Sequence, residues 1–263
     1  MLILMTKNAV MPRKFVKFSE MWYLANNVFL SSASRFGFPE RIVASTMSSA
    51  NWYFDFISPF AYLQFASLKE LSNDLEIELK PVLFSALLEH WGQKGPAEIP
   101  PKRRFVYRFF KWQADRRGLP FKMPAVHPFN PLPPLRLAIA AGSGWAAVHA
   151  IFHFIYGEGR NISSDDESLA ELAALVGIVN FGSVLSDKKI SGVLRSNTKQ
   201  AISQGVFGVP TMVVDQEIFW GDDATPMLKD YLRDRSLFRN DEMQRISNLP
   251  MGLVRSSRTR ADG

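Results

Sequence analysis

A short aromatic strand pattern runs through Ser58 and Pro59 directly into a helix pattern, and no other feature of the sequence constrains the fold more. Residues 51–56 are aromatic and largely apolar, which predicts a short buried strand. From residue 60 to 71 apolar residues recur at helical spacing. A proline suits the first helical turn because its missing N–H would have no intrahelical partner there. The segment therefore predicts an α/β unit with Ser58 at the start of the helix.

Ser58 is predicted to lie beside backbone N–H groups that lack intrahelical partners, at the positive end of the helix dipole. Such a position stabilises an anion or a thiolate. The alternative is that Ser58 only caps the helix, which is the commonest role of a serine before a helix.

The segment GVFGVPTMVV, residues 205–214, predicts a glycine-punctuated turn followed by a strand that begins after Pro210. Proline is tolerated at the start of a strand, and X-Pro is the bond type that is readily cis. A cis Val209–Pro210 bond would leave the Val209 N–H and C=O free for an extended ligand. The alternative is an ordinary trans proline at a strand edge.

The chain contains no cysteine among its 263 residues. This excludes disulfide exchange by the protein's own thiols and thiolate metal sites, and it fits a reducing compartment. His149 and His153 share a helix face at a spacing that metals use, but no third ligand accompanies them. We therefore expect no metal site.

Four motifs together resemble the thioredoxin-fold family that includes DsbA, kappa-class glutathione transferases and 2-hydroxychromene-2-carboxylate isomerase. FDFISPFAYL is similar to the active-site segment of that isomerase, and GVFGVPTMVV is similar to its cis-proline segment. Residues 92–102 resemble the substrate-proximal loop of the family, and residues 219–223 resemble its glutathione-binding turn. The motifs occur in the family's order between residues 51 and 232.

The resemblance implies an α/β, thioredoxin-like fold with an all-helical insertion domain of the DsbA and kappa-class type. The relatives are dimers, so the resemblance also implies a homodimer. The predicted parts are an N-terminal extension at 1–48, a thioredoxin-like domain at 49–95 and 199–236, a helical insertion at 96–198, and a C-terminal tail at 237–263.

The net charge of +6 lies at the two ends of the chain. Residues 1–50 carry six basic and two acidic residues, and residues 237–263 carry five and three, which leaves 20 of each sign in between. A nucleic-acid groove through the central domain is therefore not expected. The first 46 residues hold no apolar run long enough to span a membrane. They are interpreted as a mis-assigned start before Met47, and the alternative is an organellar transit segment. Without such a transit segment a cytoplasmic location is expected.

Where DsbA-like oxidoreductases carry Cys-x-x-Cys, this chain has Ser58-Pro59-Phe60-Ala61. Such a site can polarise a thiol but must take that thiol from another molecule, which favours glutathione as the cofactor. The resemblance implies that Ser58 is catalytic and that two groups of residues bind ligands. Those for glutathione are Lys102, Val209, Trp220, Gly221, Asp222 and Asp223, and those for the substrate are His127 and Asn130.

Each ligand residue also has a structural alternative. Lys102 is otherwise part of a solvated basic helix face, and His127 and Asn130 belong to a proline-rich connector between helices. By resemblance Asp223 holds the ammonium of the γ-glutamyl group, while backbone N–H groups around Asp222 face its carboxylate. Otherwise both acids only favour the start of the following helix.

The resemblance implies a glutathione-dependent isomerase of the 2-hydroxychromene-2-carboxylate type, acting on a small aromatic-degradation intermediate. The thiolate would add to a C=C bond, the resulting single bond would rotate, and elimination would restore glutathione. Two departures bear on the substrate: the family's lysine after the second strand is replaced by residues 87–90, LLEH, and its loop tyrosine by His127. The alternatives are a kappa-like glutathione transferase and a catalytically dead thioredoxin-fold binding module.

Overall fold

The computed structural model describes residues 47–162 and 166–253, with only the backbone described at Asp166. Predictions for residues 1–46 and 254–263 lie outside the described residues. Within the described part the protein contains four strands and ten α-helices. The strands are β1 (Ser48–Phe54), β2 (Leu75–Pro81), β3 (Thr211–Val214) and β4 (Glu217–Trp220). The helices are α1 (Pro59–Leu71), α2 (Phe84–Trp91), α3 (Pro100–Arg116), α4 (Leu132–Ala140), α5 (Trp145–Phe152), α6 (Asp166–Leu175), α7 (Phe181–Ser186), α8 (Lys188–Ser203), α9 (Thr225–Arg233) and α10 (Asp241–Ser247).

The four strands form one mixed sheet in the order β2-β1-β3-β4. β1 is parallel to β2, as the crossover through α1 requires. β3 is antiparallel to both β1 and β4, with Tyr53 opposite Thr211 and Thr211 opposite Trp220. The end of β1, the start of β3 and the end of β4 therefore meet at one edge of the sheet, and the segments that leave these strands lie together.

The chain between β2 and β3 is helical, and no strand interrupts α2 to α8 among its described residues. This confirms the predicted α/β class with an all-helical insertion. The domain boundaries stay predictions, and the one at 198/199 falls inside α8. No described helix is both long and apolar enough to cross a membrane.

Aromatic side chains join the sheet to the inserted helices. Trp52 stacks on Phe54 with ring centroids 4.6 Å apart, and Phe56 lies 4.7 Å from Phe152 of α5. All four side chains are fully buried. Burying one such ring contributes about 2–3 kcal/mol, so this cluster fixes α5 against β1 and holds the end of β1 in place.

Two elements differ from their predicted limits. β1 ends at Phe54 rather than Phe56, because the Asp55 carboxylate accepts the Ile57 N–H at 3.0 Å and turns the chain. α8 begins at Lys188, eight residues before the start of the short helix over 196–204 that the sequence predicts. Its N-terminal half continues the helical spacing of apolar residues with Ile190, Val193 and Leu194, and Asp187 caps it by accepting the Lys189 N–H.

Candidate active site

Ser58 is the N-cap of α1 and also faces the proline segment before β3. Its Oγ accepts the Ala61 N–H at 3.3 Å and lies 3.4 Å from the Val209 carbonyl oxygen, to which the hydroxyl donates. Pro59 has no N–H, and the Phe60 N–H has no partner among the described residues. The capping role and the position beside the proline segment therefore coexist in one side chain.

The Val209–Pro210 peptide bond is cis, as predicted. Of the two Val209 backbone groups expected to be free, only the N–H lacks a partner among the described residues. The carbonyl accepts the Ser58 hydroxyl, because the strand order brings the start of α1 against this segment. Pro210 in turn accepts the Gly221 N–H at 2.9 Å.

Asp55 is a fully buried carboxylate three residues before Ser58. It accepts the Ile57 N–H at 3.0 Å and the Phe84 N–H at 2.9 Å. Burial raises the pKa of Asp55 from 3.8 to about 7, against the lowering effect of the two N–H donors. The turn that presents Ser58 therefore contains a carboxyl group that titrates near neutral pH.

The two adjacent acids in the turn after β4 lie in different environments. Asp222 is 7% exposed, and its carboxylate pairs with the guanidinium of Arg117 through two hydrogen bonds, one of them 3.0 Å long. Asp223 is exposed and its carboxylate lies beside Gly221. Gly221 has φ +87°, a backbone conformation that favours glycine, and a Cβ there would also displace the Asp223 carboxylate, whose Oδ1 would lie 2.7 Å away.

Trp220 forms an aromatic wall beside the proline segment. Its side chain is 53% exposed, and the ring packs edge-to-face on Phe207 with centroids 5.1 Å apart. A Cβ on Gly208 would lie 2.5 Å from Trp220 Nε1, so the close approach depends on this glycine. The predicted residues Val209, Trp220, Gly221 and Asp223 thus meet at the edge where β3 begins and β4 ends.

His127 supports the turn that carries Ser58. Its Nε2 donates to the Ile57 carbonyl at 2.8 Å, and its Nδ1 lies 2.6 Å from the Tyr107 hydroxyl. Burial lowers the pKa of His127, which favours the neutral ring. Asn130 is exposed and its Oδ1 accepts the Leu132 N–H at 3.1 Å, before α4. These contacts match the structural alternative of a connector that packs against the site.

Lys102 lies exposed in the first turn of α3 and is not part of the hydrogen-bonded group around Ser58. Three residues that do belong to the site's framework were not predicted from the sequence: Asp55, Gln64 and Arg117. Gln64 is the one polar residue in the apolar run from Phe60 to Phe65, and this position could have identified it from the sequence. Arg117 is the last of a run of basic residues, and nothing in the sequence distinguishes it from the others.

No group of three or more metal-ligating side chains occurs in the part of the chain that the structure describes. His149 and His153 stack face to face with centroids 6.0 Å apart, and His153 Nε2 lies 3.6 Å from Glu158.

The sheet order, the inserted helices and the cis-proline beside a helix start define a DsbA-like thioredoxin protein. The family model described as DSBA-like thioredoxin domain matches residues 51–233, and the chain belongs to this family. It is 31% identical over 191 residues to a 2-hydroxychromene-2-carboxylate isomerase of Sphingobium xenophagum, with 70% of this chain and 97% of that protein covered.

A kappa-class relative and a solved structure extend the comparison. Glutathione S-transferase kappa 2 of Caenorhabditis elegans is 25% identical over 204 residues, covering 70% of this chain and 91% of that protein. A solved 2-hydroxychromene-2-carboxylate isomerase superposes with a TM-score of 0.61 at 27% identity, covering 74% of this chain and 98% of the other. The family predicted from the sequence is therefore confirmed, and related proteins are isomerases and glutathione transferases.

Proposed function

We propose that this protein is a glutathione-dependent isomerase of the 2-hydroxychromene-2-carboxylate type that acts on a small aromatic-degradation intermediate. The observation that carries the proposal is the position of Ser58 at the start of α1, with its hydroxyl directed at the cis-proline segment and no cysteine in the chain. The 31% identity to an isomerase of that name favours isomerisation as the reaction.

The residues at the sheet edge fit glutathione. An extended peptide needs a backbone partner, and the unpaired Val209 N–H offers one. A γ-glutamyl group carries an ammonium and a carboxylate, for which the exposed Asp223 carboxylate and the start of the turn Asp222–Ala224 are suited. The Asp222 carboxylate is occupied by Arg117, so Asp222 would contribute its backbone N–H only.

Ser58 would act as the activator of the bound thiol. Its contact to the Val209 carbonyl, at 3.4 Å, is long for an O–H···O hydrogen bond, so the hydroxyl can turn toward sulfur at little cost. The Phe60 N–H and the helix dipole add to the stabilisation of negative charge. Lowering a thiol pKa of about 8.5 by about two units corresponds to about 2.7 kcal/mol. The chemistry that glutathione supplies when bound is a nucleophilic thiolate for reversible addition to an electron-poor C=C bond.

His127 and Asn130 are proposed to border the substrate. Both nitrogens of the His127 ring are used within the protein, so His127 would hold the Ile57 carbonyl in place rather than bind a carboxylate. The Asn130 side-chain NH₂ has no partner among the described residues and is open to a ligand. Lys102 is proposed to approach glutathione from the first turn of α3.

A kappa-like transferase is the second candidate, favoured by the 25% identity to a kappa-class protein. Both reactions would use the same thiol site, but only a transferase consumes glutathione. Incubation with an electron-poor aromatic alkene and a limiting amount of glutathione separates them. An isomerase turns over many equivalents at constant free thiol, whereas a transferase stops when the thiol is exhausted.

Calorimetric titration with glutathione tests the site itself. We expect saturable binding to the wild-type protein and none of comparable strength for ophthalmic acid, which has the same backbone with a methyl group in place of the thiol. Absence of glutathione binding would favour the third candidate, a thioredoxin-fold binding module without this chemistry.

The family resemblance also supports a homodimer, and light scattering should give twice the chain mass of 29.8 kDa. We propose a cytoplasmic location, because a glutathione pool keeps thiols reduced there.

A further inference from the structure

Gln64 is a buried amide that is hydrogen-bonded on one side to the core residue Trp52 and on the other to the segment after β4. It lies in α1 and is 1% exposed. Its Oε1 accepts the Trp52 Nε1–H at 2.7 Å, and its Nε2 donates to the Gly221 carbonyl at 2.9 Å and to Thr225 Oγ1 at 3.2 Å. An indole N–H only donates and a carbonyl only accepts, so the amide has one possible orientation.

Both backbone groups of Gly221 are hydrogen-bonded, and Gln64 holds the carbonyl. Its N–H donates to the Pro210 carbonyl at 2.9 Å, and its carbonyl accepts from Gln64. Gly221 is the residue from which the turn Asp222–Ala224 begins. The turn is therefore tied to the cis-proline segment on one side and to α1 on the other, and Ser58 stands six residues before Gln64 at the start of that helix.

A buried amide is a costly way to fill this position if only stability matters. Burying polar groups requires that each be hydrogen-bonded, and a satisfied hydrogen bond contributes only about 1 kcal/mol net. An apolar residue in place of Gln64, with phenylalanine in place of Trp52, would pack without these requirements. What the amide adds is direction, because its two donors specify where the Gly221 carbonyl and the Thr225 hydroxyl must lie.

We propose that Gln64 is a positioning residue for thiol-ligand recognition, which orients the turn that receives the γ-glutamyl end relative to Ser58. The inference rests on the proposed function. Gln64 itself touches no ligand, and it acts through the Gly221 carbonyl on the N–H groups that follow at Asp222 and Asp223. Its removal selectively weakens capture of the γ-glutamyl end, while the thiol end at Ser58 is unaffected.

The test compares glutathione with cysteinylglycine, which lacks the γ-glutamyl group, by calorimetry on full-length protein. The variants are Trp52→Phe and the double variant Trp52→Phe/Gln64→Met. Trp52→Phe removes one partner of Gln64 but leaves both donations to the turn. The double variant removes both members of the Trp52–Gln64 pair, which avoids an orphaned indole N–H and favours folding.

We expect wild type and Trp52→Phe to prefer glutathione over cysteinylglycine by the same factor. In the double variant this preference should fall about tenfold, which corresponds to about 1.4 kcal/mol, with the cysteinylglycine affinity unchanged. An unchanged preference, or an equal loss for both thiols, would overturn the positioning role. A wild-type protein that does not distinguish the two thiols would instead overturn the proposed glutathione site, and the inference with it.

Discussion

At the scale of single residues, Ser58 combines a helix cap with a hydroxyl directed at the cis-proline segment. These two roles have different energetic weights. Loss of a cap costs about 1 kcal/mol of stability, whereas loss of one donor to a developing anion costs about 100-fold or more in turnover. A substitution can therefore separate them.

Ser58→Ala should lower the free energy of unfolding by only about 1 kcal/mol and lower turnover by about 100-fold. Urea unfolding and the glutathione-dependent isomerase assay measure the two effects. Asn180→Ala is the matched control, because Asn180 caps α7 by accepting the Ser183 N–H at 3.2 Å. It should cost similar stability and leave turnover unchanged. Full activity in Ser58→Ala would remove Ser58 from the mechanism.

The two adjacent acids at the turn provide a second contrast. Asp223→Asn should weaken glutathione binding by about 1.5–3 kcal/mol, the range for a hydrogen bond to a charged group, with little change in stability. Asp222→Asn should instead lower stability by about 2 kcal/mol, because it leaves the Arg117 guanidinium without its buried carboxylate partner. Calorimetry measures the glutathione affinity of both variants, and thermal unfolding measures their stability. An unchanged glutathione affinity in Asp223→Asn would show that Asp223 does not belong to the site.

Asp55 predicts a pH dependence with a defined sign. Its folded-state pKa of about 7 lies above the ordinary value of 3.8, so the native state keeps a proton that the unfolded state releases between these values. Its contribution to stability is therefore full at low pH and is lost as the pH rises through about 7. Between pH about 5 and about 8 the wild type should lose more unfolding free energy than Asp55→Asn. Urea denaturation at each pH measures the unfolding free energy of both proteins. An equal loss in the two proteins would contradict the prediction.

At the scale of elements, the sequence predicted what depends on local chemistry. Ser-Pro before an apolar helix predicted the start of α1. Local chemistry left the Val209–Pro210 bond open between cis and trans, and the family resemblance predicted the cis form that the structure has. Contacts between elements distant in sequence could not be read in this way. Arg117 follows α3 and resembles the basic residues of that helix, and only the fold brings it to Asp222, 105 positions away. The same holds for the hydrogen bonds of Gln64 to the turn after β4.

Substitution of Gly208 tests whether glutathione binding requires the close approach of the Trp220 ring to the proline segment. Gly208→Ala places a Cβ 2.5 Å from Trp220 Nε1, so the indole must move away and glutathione affinity should fall about threefold or more. Gly192→Ala, inside α8 with open space around it, is the control. It should leave affinity unchanged and add about 1 kcal/mol of stability. Calorimetry and thermal unfolding measure both, and equal affinities would argue against contact between Trp220 and the ligand.

At the scale of the whole molecule, the described residues form one compact unit that contains the sheet, the helices and every proposed site residue. Deletion of residues 1–46 should therefore leave the melting temperature and the glutathione affinity unchanged. Differential scanning calorimetry of the two forms measures this. A fall of several degrees would correspond to a stability loss of about 1–2 kcal/mol and would assign the first 46 residues a packing role.

The β3–β4 hairpin carries the proposed ligand site at one end only. Its open end pairs Thr211 with Trp220 and thereby holds the proline segment and the turn Asp222–Ala224 side by side. Its closed end, the two-residue turn at Asp215 and Gln216, lies at the opposite end of the strands. Strand register determines the spacing of the two proposed binding segments, and the buried pair Met212 and Phe219 specifies that register in addition to the turn. A reporter peptide inserted after Gln216 would therefore give a labelled protein with an intact site, whereas one extra residue within β4, before Trp220, would turn Trp220 to the other face of the sheet.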